Sequence, residues 1–264
     1  MMRAAFGLRL LAVGATLACI CQSAPAQAIE ISRIEIYDDQ QRPMQADVYL
    51  ISPKQGDTPV RLGVTNSDGF REWSPASQCP PGYRLRLQAV AGRYLPKDIE
   101  CDEARNPMKE KLSAWKTVEK LGRNFEEAMK NGDTGAALII ANDLAFRLAH
   151  LSIEIMREQS KLAEQANEPA IKMLLDREIV ARTSKQPEKG SGLWSFQAYK
   201  LAGDLLKIET PVIYDTQKYK FVMSQDMADR IMTFQAGNQL PVNGKLDYNT
   251  VQKLTKSQIG NFIQ

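Results

Sequence analysis

The chain has 264 residues, with 34 basic and 31 acidic side chains and a formal net charge of +3. That balance excludes the concentrated positive footprint of a nucleic-acid binder. One histidine and four cysteines exclude a multi-histidine zinc centre. The sequence also lacks a phosphate loop and a dinucleotide fingerprint, so no cofactor is expected.

The first residues, MMRAAFGLRLLAVGATLACICQSAPAQA, read as a targeting segment. Arg3 and Arg9 precede an apolar run from Leu10 to Ile20, and Ala26 and Ala28 are spaced as at a cleavage site. This is the pattern of a secretory signal peptide over 1–28, cut after Ala28. It implies a periplasmic or secreted protein. The alternatives are an uncleaved anchor and lipid attachment at Cys19, where Thr16 occupies the place of an expected larger apolar residue. The apolar run is shorter than the roughly 20 residues a membrane span needs. No later run is longer, so no transmembrane segment is expected after cleavage. Loss of Arg3 and Arg9 leaves a nearly neutral chain.

Residues 29–105 read as β-structure. IEISRIEIYD sets Ile31, Ile34 and Ile36 among charges. QADVYLIS, VRLGVT, GFREW and YRLRLQAV follow, separated by DDQQRP, SPKQGDTP, NSDG and CPPG. Short alternating runs between such turn clusters predict a small β-sandwich. Gly69 closes a tight turn that favours positive φ. Tyr83, Leu85, Leu87 and Ala89 share a face expected to be buried, and Arg84, Arg86 and Gln88 share one expected to be wet. Cys79 and Cys101 remain after signal cleavage. In an exported chain they are expected to pair as a disulfide, with free thiols as the alternative. The closed loop is worth about 3 kcal/mol in the loop-entropy model. The segments DDQQRPMQADVYL, TNSDGF and YRLRLQAVAGRYLP together resemble the transthyretin-like and carboxypeptidase-regulatory-like sandwiches. Arg93 splits the Gly-Tyr pair of that pattern. The resemblance implies an accessory module and carries little about activity.

Residues 107–206 read as a helical bundle or hairpin array. Leu112, Trp115, Val118, Leu121, Phe125 and Met129 recur at helical spacing. Asn131-Gly132-Asp133 ends that helix and opens a longer second one, TGAALIIANDLAFRLAHLSIEIMREQSKLAEQA. A third run, PAIKMLLDREIVART, has Pro169 near its start. SKQPEKGSG reads as a linker, and a fourth helix follows with Leu193, Phe196, Leu201 and Leu205 available for burial. His150, inside an apolar helix, reads as a core or helix-surface residue. Glu126 and Glu127 read as a solvated face, with a sugar-cleaving general acid as the alternative.

Residues 207–264 read as a small helical module. Ser224 caps a helix carrying Met227, Ile231 and Phe234, and Gly237 is expected to end it in the left-handed conformation. Asn243-Gly244 turns the chain, and Asp247 caps a helix that faces Val251 and Leu254 inward. Phe234, Gln235, Leu240, Pro241, Val242, Gly244, Leu246, Asp247, Thr250 and Leu254 are the residues on which this segment resembles the peptidoglycan-binding domain-like family of bacterial cell-wall proteins. Gln239 stands where that family has Gly. The resemblance implies a fold in which Phe234, Leu240, Val242, Leu246 and Leu254 are core. Its ligand surface is expected in the exposed polar groups beside the turn: Gln235, Asn238, Asn243, Tyr248 and Asn249.

The expected fold is therefore multidomain α+β: an N-terminal β-sandwich, a helical middle section and a C-terminal peptidoglycan-binding-like helical module. The expected function is non-enzymatic binding or organisation of peptidoglycan in the cell envelope, with no catalytic residue and no metal ligand assigned. The alternatives are an envelope protein-interaction factor working through the helical section, and a peptidoglycan-cleaving enzyme using Glu126 or Glu127.

Overall fold

The computed structural model describes residues 28–54, 56–184, 194–215 and 220–261. The signal segment up to residue 27, Cys19 within it, most of the SKQPEKGSG stretch and Leu193 lie outside the described residues. The chain is a mixture of α-helices and several small β-sheets.

Among the described residues the first seven strands make two sheets. β1 (Ile29–Tyr37) pairs antiparallel with β4 (Phe70–Cys79) and parallel with β7 (Met108–Lys111). The second sheet has the order β3 (Val60–Val64), β2 (Ala46–Ile51), β5 (Arg84–Ala89), β6 (Lys97–Glu100). Both sheets feed one hydrophobic cluster that includes Ile31, Ile34, Ile36, Val48, Leu85 and Leu87. Ile31 and Ile34 are three apart, which breaks a period of two. The ladder with β4 shifts register between Ile31 and Arg33, and this irregularity lets both isoleucines point inward.

Turn chemistry fixes the strand connections. Asn66 Oδ1 accepts from the Asp68 and Phe70 amides, and Gly69 takes φ 75°. A Cβ on Gly69 would lie 2.6 Å from the Ile36 carbonyl oxygen, so no other residue fits without displacing β1. The Thr65 hydroxyl, fully buried, donates to Met44 O and accepts from Ala46 N. Cys79 and Cys101 form a disulfide inside the same cluster, their Cα atoms 5.4 Å apart.

Three expectations for this region are corrected. The strand β7 extends the β-layer past residue 105, and Leu112 belongs to its core instead of the first helix. β7 reads MKEK, with only Met108 fully buried, so its pairing with β1 leaves no apolar alternation to detect. The face of β5 expected to be wet is partly covered. Arg86 makes a two-pronged contact with Asp98 (2.8 and 3.0 Å), Arg84 lies 3.4 Å from the same carboxylate, and Asp98 itself is buried.

The helices begin with α1 (Trp115–Lys130) and α2 (Thr134–Ala149), joined at Gly132, which takes φ 69°. The long second helix of the sequence pattern is two helices. α2 stops at His150, and α3 (Ile153–Gln165) starts at Ser152, whose hydroxyl caps Ile155 N. The two axes differ by 104°. No single helix among the described residues is long and apolar enough to cross a membrane. α4 (Pro169–Thr183) returns along α3, and α5 (Trp194–Leu206) packs on α2. Met129, expected on the buried stripe of α1, is 46 % exposed.

A hairpin of β8 (Val212–Asp215) and β9 (Lys220–Met223) precedes α6 (Gln225–Gly237) and α7 (Tyr248–Asn261). Met227, Ile231, Leu246, Val251 and Leu254 join the same hydrophobic cluster as Val118, Leu138 and Leu201. The middle and terminal helices therefore share a core across the expected boundary at residues 206 and 207.

Candidate functional site

The segment from Phe234 to Leu254 folds as helix, turn, helix. Ser224 Oγ accepts from Met227 N to start α6, and Asp247 Oδ1 accepts from Thr250 N to start α7. Burial opposes ionisation of Asp247. Hydrogen bonds from Thr250, Asn243 and the Asn249 backbone overcome it and hold the carboxyl below its usual range. Gly244 turns the chain at φ 66°.

The turn is held by Gln235. This side chain is fully buried, which corrects its expected place among the exposed ligand groups. Its Oε1 accepts from the Asn243 and Gly244 amides, each at 3.0 Å. Its Nε2 donates within the set Asn243 Oδ1 (2.9 Å), Lys245 O (3.0 Å) and Thr250 Oγ1 (2.9 Å). Both lone pairs and both N–H groups of the amide are engaged, so no group remains for a ligand. The hydropathy pattern gives no sign of this, because a glutamine at the end of an amphipathic helix ordinarily faces water.

The other four candidates separate. Asn243 is exposed, but its Oδ1 accepts from Lys245 N and Gln235, and its Nδ2 donates to Asp247. Asn238 caps α6, donating to Phe234 O. Tyr248 is 65 % exposed at the first turn of α7, and Asn249 beside it is exposed with no side-chain hydrogen bond among the described residues. The Tyr248 hydroxyl accepts from Gln252 Nε2 at 2.5 Å. Of the expected core residues, Leu246 and Leu254 are buried, Phe234 and Leu240 are half-buried, and Val242 is 57 % exposed at the turn. Val242 is therefore a surface residue, which corrects its assignment to the core.

Gly237 does not close α6. It stays helical, and the left-handed position falls at Gln239, with φ 57°. This is the position where the resembled family has Gly.

A cleft begins one helical turn after Tyr248. Gln252 and Lys256 follow that residue at helical spacing, and both line a cavity of about 550 Å³ between α7 and the start of α2. Gly135, Ala136 and Ile139 line the α2 side. A Cβ on Gly135 would lie 3.6 Å from Asp133 Oδ1 and 3.7 Å from Thr255 Cβ, in ordinary contact, so the glycine keeps this wall open.

Elsewhere several charged groups are paired among the described residues. Glu126 pairs with Arg177 at 3.0 Å on an exposed surface, and Glu127 is exposed. Glu178, on α4, is buried. Burial pushes its carboxyl up, against the pull of Arg182 at 2.8 Å and the Trp194 amide. Arg182 also donates to Leu151 O and Leu148 O at the end of α2. This is a structural brace between three helices. Among the described residues no group of three His, Cys, Asp or Glu side chains is placed to hold a metal ion. No family model, no curated protein and no solved structure matches this chain.

Proposed function

We propose that this is an exported, non-enzymatic cell-envelope protein that binds peptidoglycan through the N-terminal end of α7 and the adjoining cleft. The carrying observation is exposed Tyr248 hydrogen-bonded to Gln252, which with Lys256 lines the 550 Å³ cavity one helical turn further on. A tyrosine ring stacks on the apolar face of a sugar, and amide and ammonium groups hydrogen-bond its hydroxyls or a peptide carboxylate. The cavity falls within the roughly 300–1,000 Å³ of small-ligand sites. The resemblance of the Phe234–Leu254 phrase to peptidoglycan-binding domains supplies the ligand class. The secretory pattern of residues 1–28 supplies the compartment. In this reading the two sheets are a transthyretin-like sandwich serving as an accessory module.

Co-sedimentation of the full chain with purified peptidoglycan sacculi tests the proposal. Tyr248→Ala and Gly135→Leu are expected to reduce retention several-fold while leaving the fold intact by circular dichroism. Point variants are required, because removing 222–264 would strip Met227, Ile231 and Leu254 from a shared core. Absence of retention by the intact protein would overturn the reading.

The second reading, an envelope protein-interaction factor, has a specific observation in its favour. Met173 and Val180 are 47 % and 48 % exposed on α4 and, with Pro169, line an apolar groove of about 350 Å³. A pull-down from envelope extract that is lost in Met173→Glu and kept in Tyr248→Ala would favour it.

A further inference from the structure

Where the β-layer meets α2, a cavity of about 180 Å³ opens among charged side chains. Most of its charges are matched. The Arg147 guanidinium donates to Asp143 Oδ1 (2.9 Å) and Ser113 Oγ (3.0 Å) and pairs with Asp39. Asp39 in turn accepts from Ala114 N. Lys97 is held by Glu110 at 2.6 Å.

Two groups in the wall are unspent. Lys111 makes no ion pair or side-chain hydrogen bond among the described residues, and neither ring nitrogen of His150 has a hydrogen-bond partner among them. The His150 ring is nevertheless held in place. It stands edge-on to Phe146, with centroids 5.7 Å apart, and its backbone carbonyl accepts from Asp98 N. Burial, helped by the Lys97 ammonium, keeps the imidazole below its usual pKa, against the pull of Glu110, Glu103 and Asp98. At neutral pH it therefore offers one N–H and one lone pair.

We propose that this cavity binds a small monocarboxylate. Its oxygens would meet the Lys111 ammonium and the His150 N–H, and its carbon body would lie against Phe146 and Pro96. Lys111 is the one cation of the wall with no contact partner of its own among the described residues, which gives a single carboxylate a direct counter-ion. Arg147, Lys97 and Lys111 together face Asp39, Asp143 and Glu110, three cations against three carboxylates, so the site has no net positive charge to hold a multiply charged anion. Multiply charged anions are disfavoured further, because the site adjoins the C-terminal end of α2, where the helix dipole is negative. At roughly 30 Å³ per water, the volume takes the place of about six waters. The carboxylate therefore belongs either to a small free acid or to the end of a peptide.

The sole histidine makes the test direct. Untagged full-length protein with isotope-labelled histidine is titrated with sodium acetate and with N-acetylalanine, and with sodium chloride at matched ionic strength as the control. Both carboxylates are expected to shift the His150 ring signals saturably, and to raise its titration midpoint because a bound anion favours the imidazolium. Tighter binding of N-acetylalanine identifies a peptide end, and equal or tighter binding of acetate identifies a free acid. Lys111→Ala is expected to weaken binding about tenfold, the scale of one lost charge-assisted hydrogen bond, and Lys111→Arg to retain it. The proposal is overturned if the ring signals do not saturate, if chloride shifts them equally, or if Lys111→Ala binds like the parent.

Discussion

At the scale of single residues, the Phe234–Leu254 turn depends on one buried amide. Gln235→Leu keeps the volume but leaves the Asn243 and Gly244 amides without their acceptor. Each buried unpaired group costs about 1–3 kcal/mol. The variant is expected to lose about 3 kcal/mol in urea denaturation, and Gln235→Glu to lose stability as well, since its new oxygen would face Asn243 Oδ1 and Lys245 O. Four residues on, the opposite change is expected. Gln239 holds φ 57°, a conformation that costs a side-chain-bearing residue about 1 kcal/mol relative to Gly. Gln239→Gly should therefore raise the denaturation midpoint by an amount equivalent to about 1 kcal/mol, and an unchanged midpoint would show that the strain is relieved elsewhere. The sequence shows the conspicuous punctuation here, Ser224, Gly244 and Asp247, because capping and turn formation are local. It hides Gln235, because the groups that satisfy that amide come from residues eight to fifteen positions away.

At the scale of elements, the same division holds. The alternation of β5 and the Thr65–Phe70 turn are legible because one face of a strand and one tight turn are decided within a few residues. β7 is not, since its partner is set by parallel pairing with β1 over a long separation. The break between α2 and α3 had a readable signal in Ser152 followed by Glu154, a cap with an acid in the first turn, inside an otherwise continuous apolar pattern. What sustains the break is Arg182, reaching from α4 to the Leu148 and Leu151 carbonyls while paired with buried Glu178. Removing one partner of a buried ion pair strands the other charge, at a cost of about 3–5 kcal/mol. Arg182→Met is expected to lose that much by chemical denaturation. Glu178→Gln in the same chain should recover part of it by removing the stranded carboxylate, and strictly additive losses would show that the two side chains act independently.

At the scale of the whole molecule, the β-layer and the helices meet at a polar seam. Asp98 N donates to His150 O, Arg147 pairs with Asp39, and Arg93 pairs with Glu168. Leu95, from the β-layer's side of the sequence, buries itself in the helical cluster. The histidine at this seam predicts a pH dependence. Its folded pKa lies below the usual value through burial and the neighbouring Lys97. Between the folded and unfolded values the unfolded chain binds more protons, so stability rises with pH in that window. The neutral imidazole's contribution is thus fully present above about pH 6.5, the unfolded value, and is lost as pH falls through the window below it. Glu178 works with the opposite sign. Its raised folded pKa means the folded state gains as pH falls toward the unfolded carboxyl value. The lowered carboxyls of Asp38, Asp176 and Asp247 lose their contribution only in the more acidic range below the ordinary aspartate value. Comparing parent protein with His150→Gln isolates one term from this sum, since the chain has no second histidine. Urea denaturation at stepped pH from about 8 to 5 is expected to show the parent losing stability relative to the variant below neutrality. A difference that stays constant across that range would mean that His150 does not change its proton affinity on folding and that the seam is indifferent to its charge.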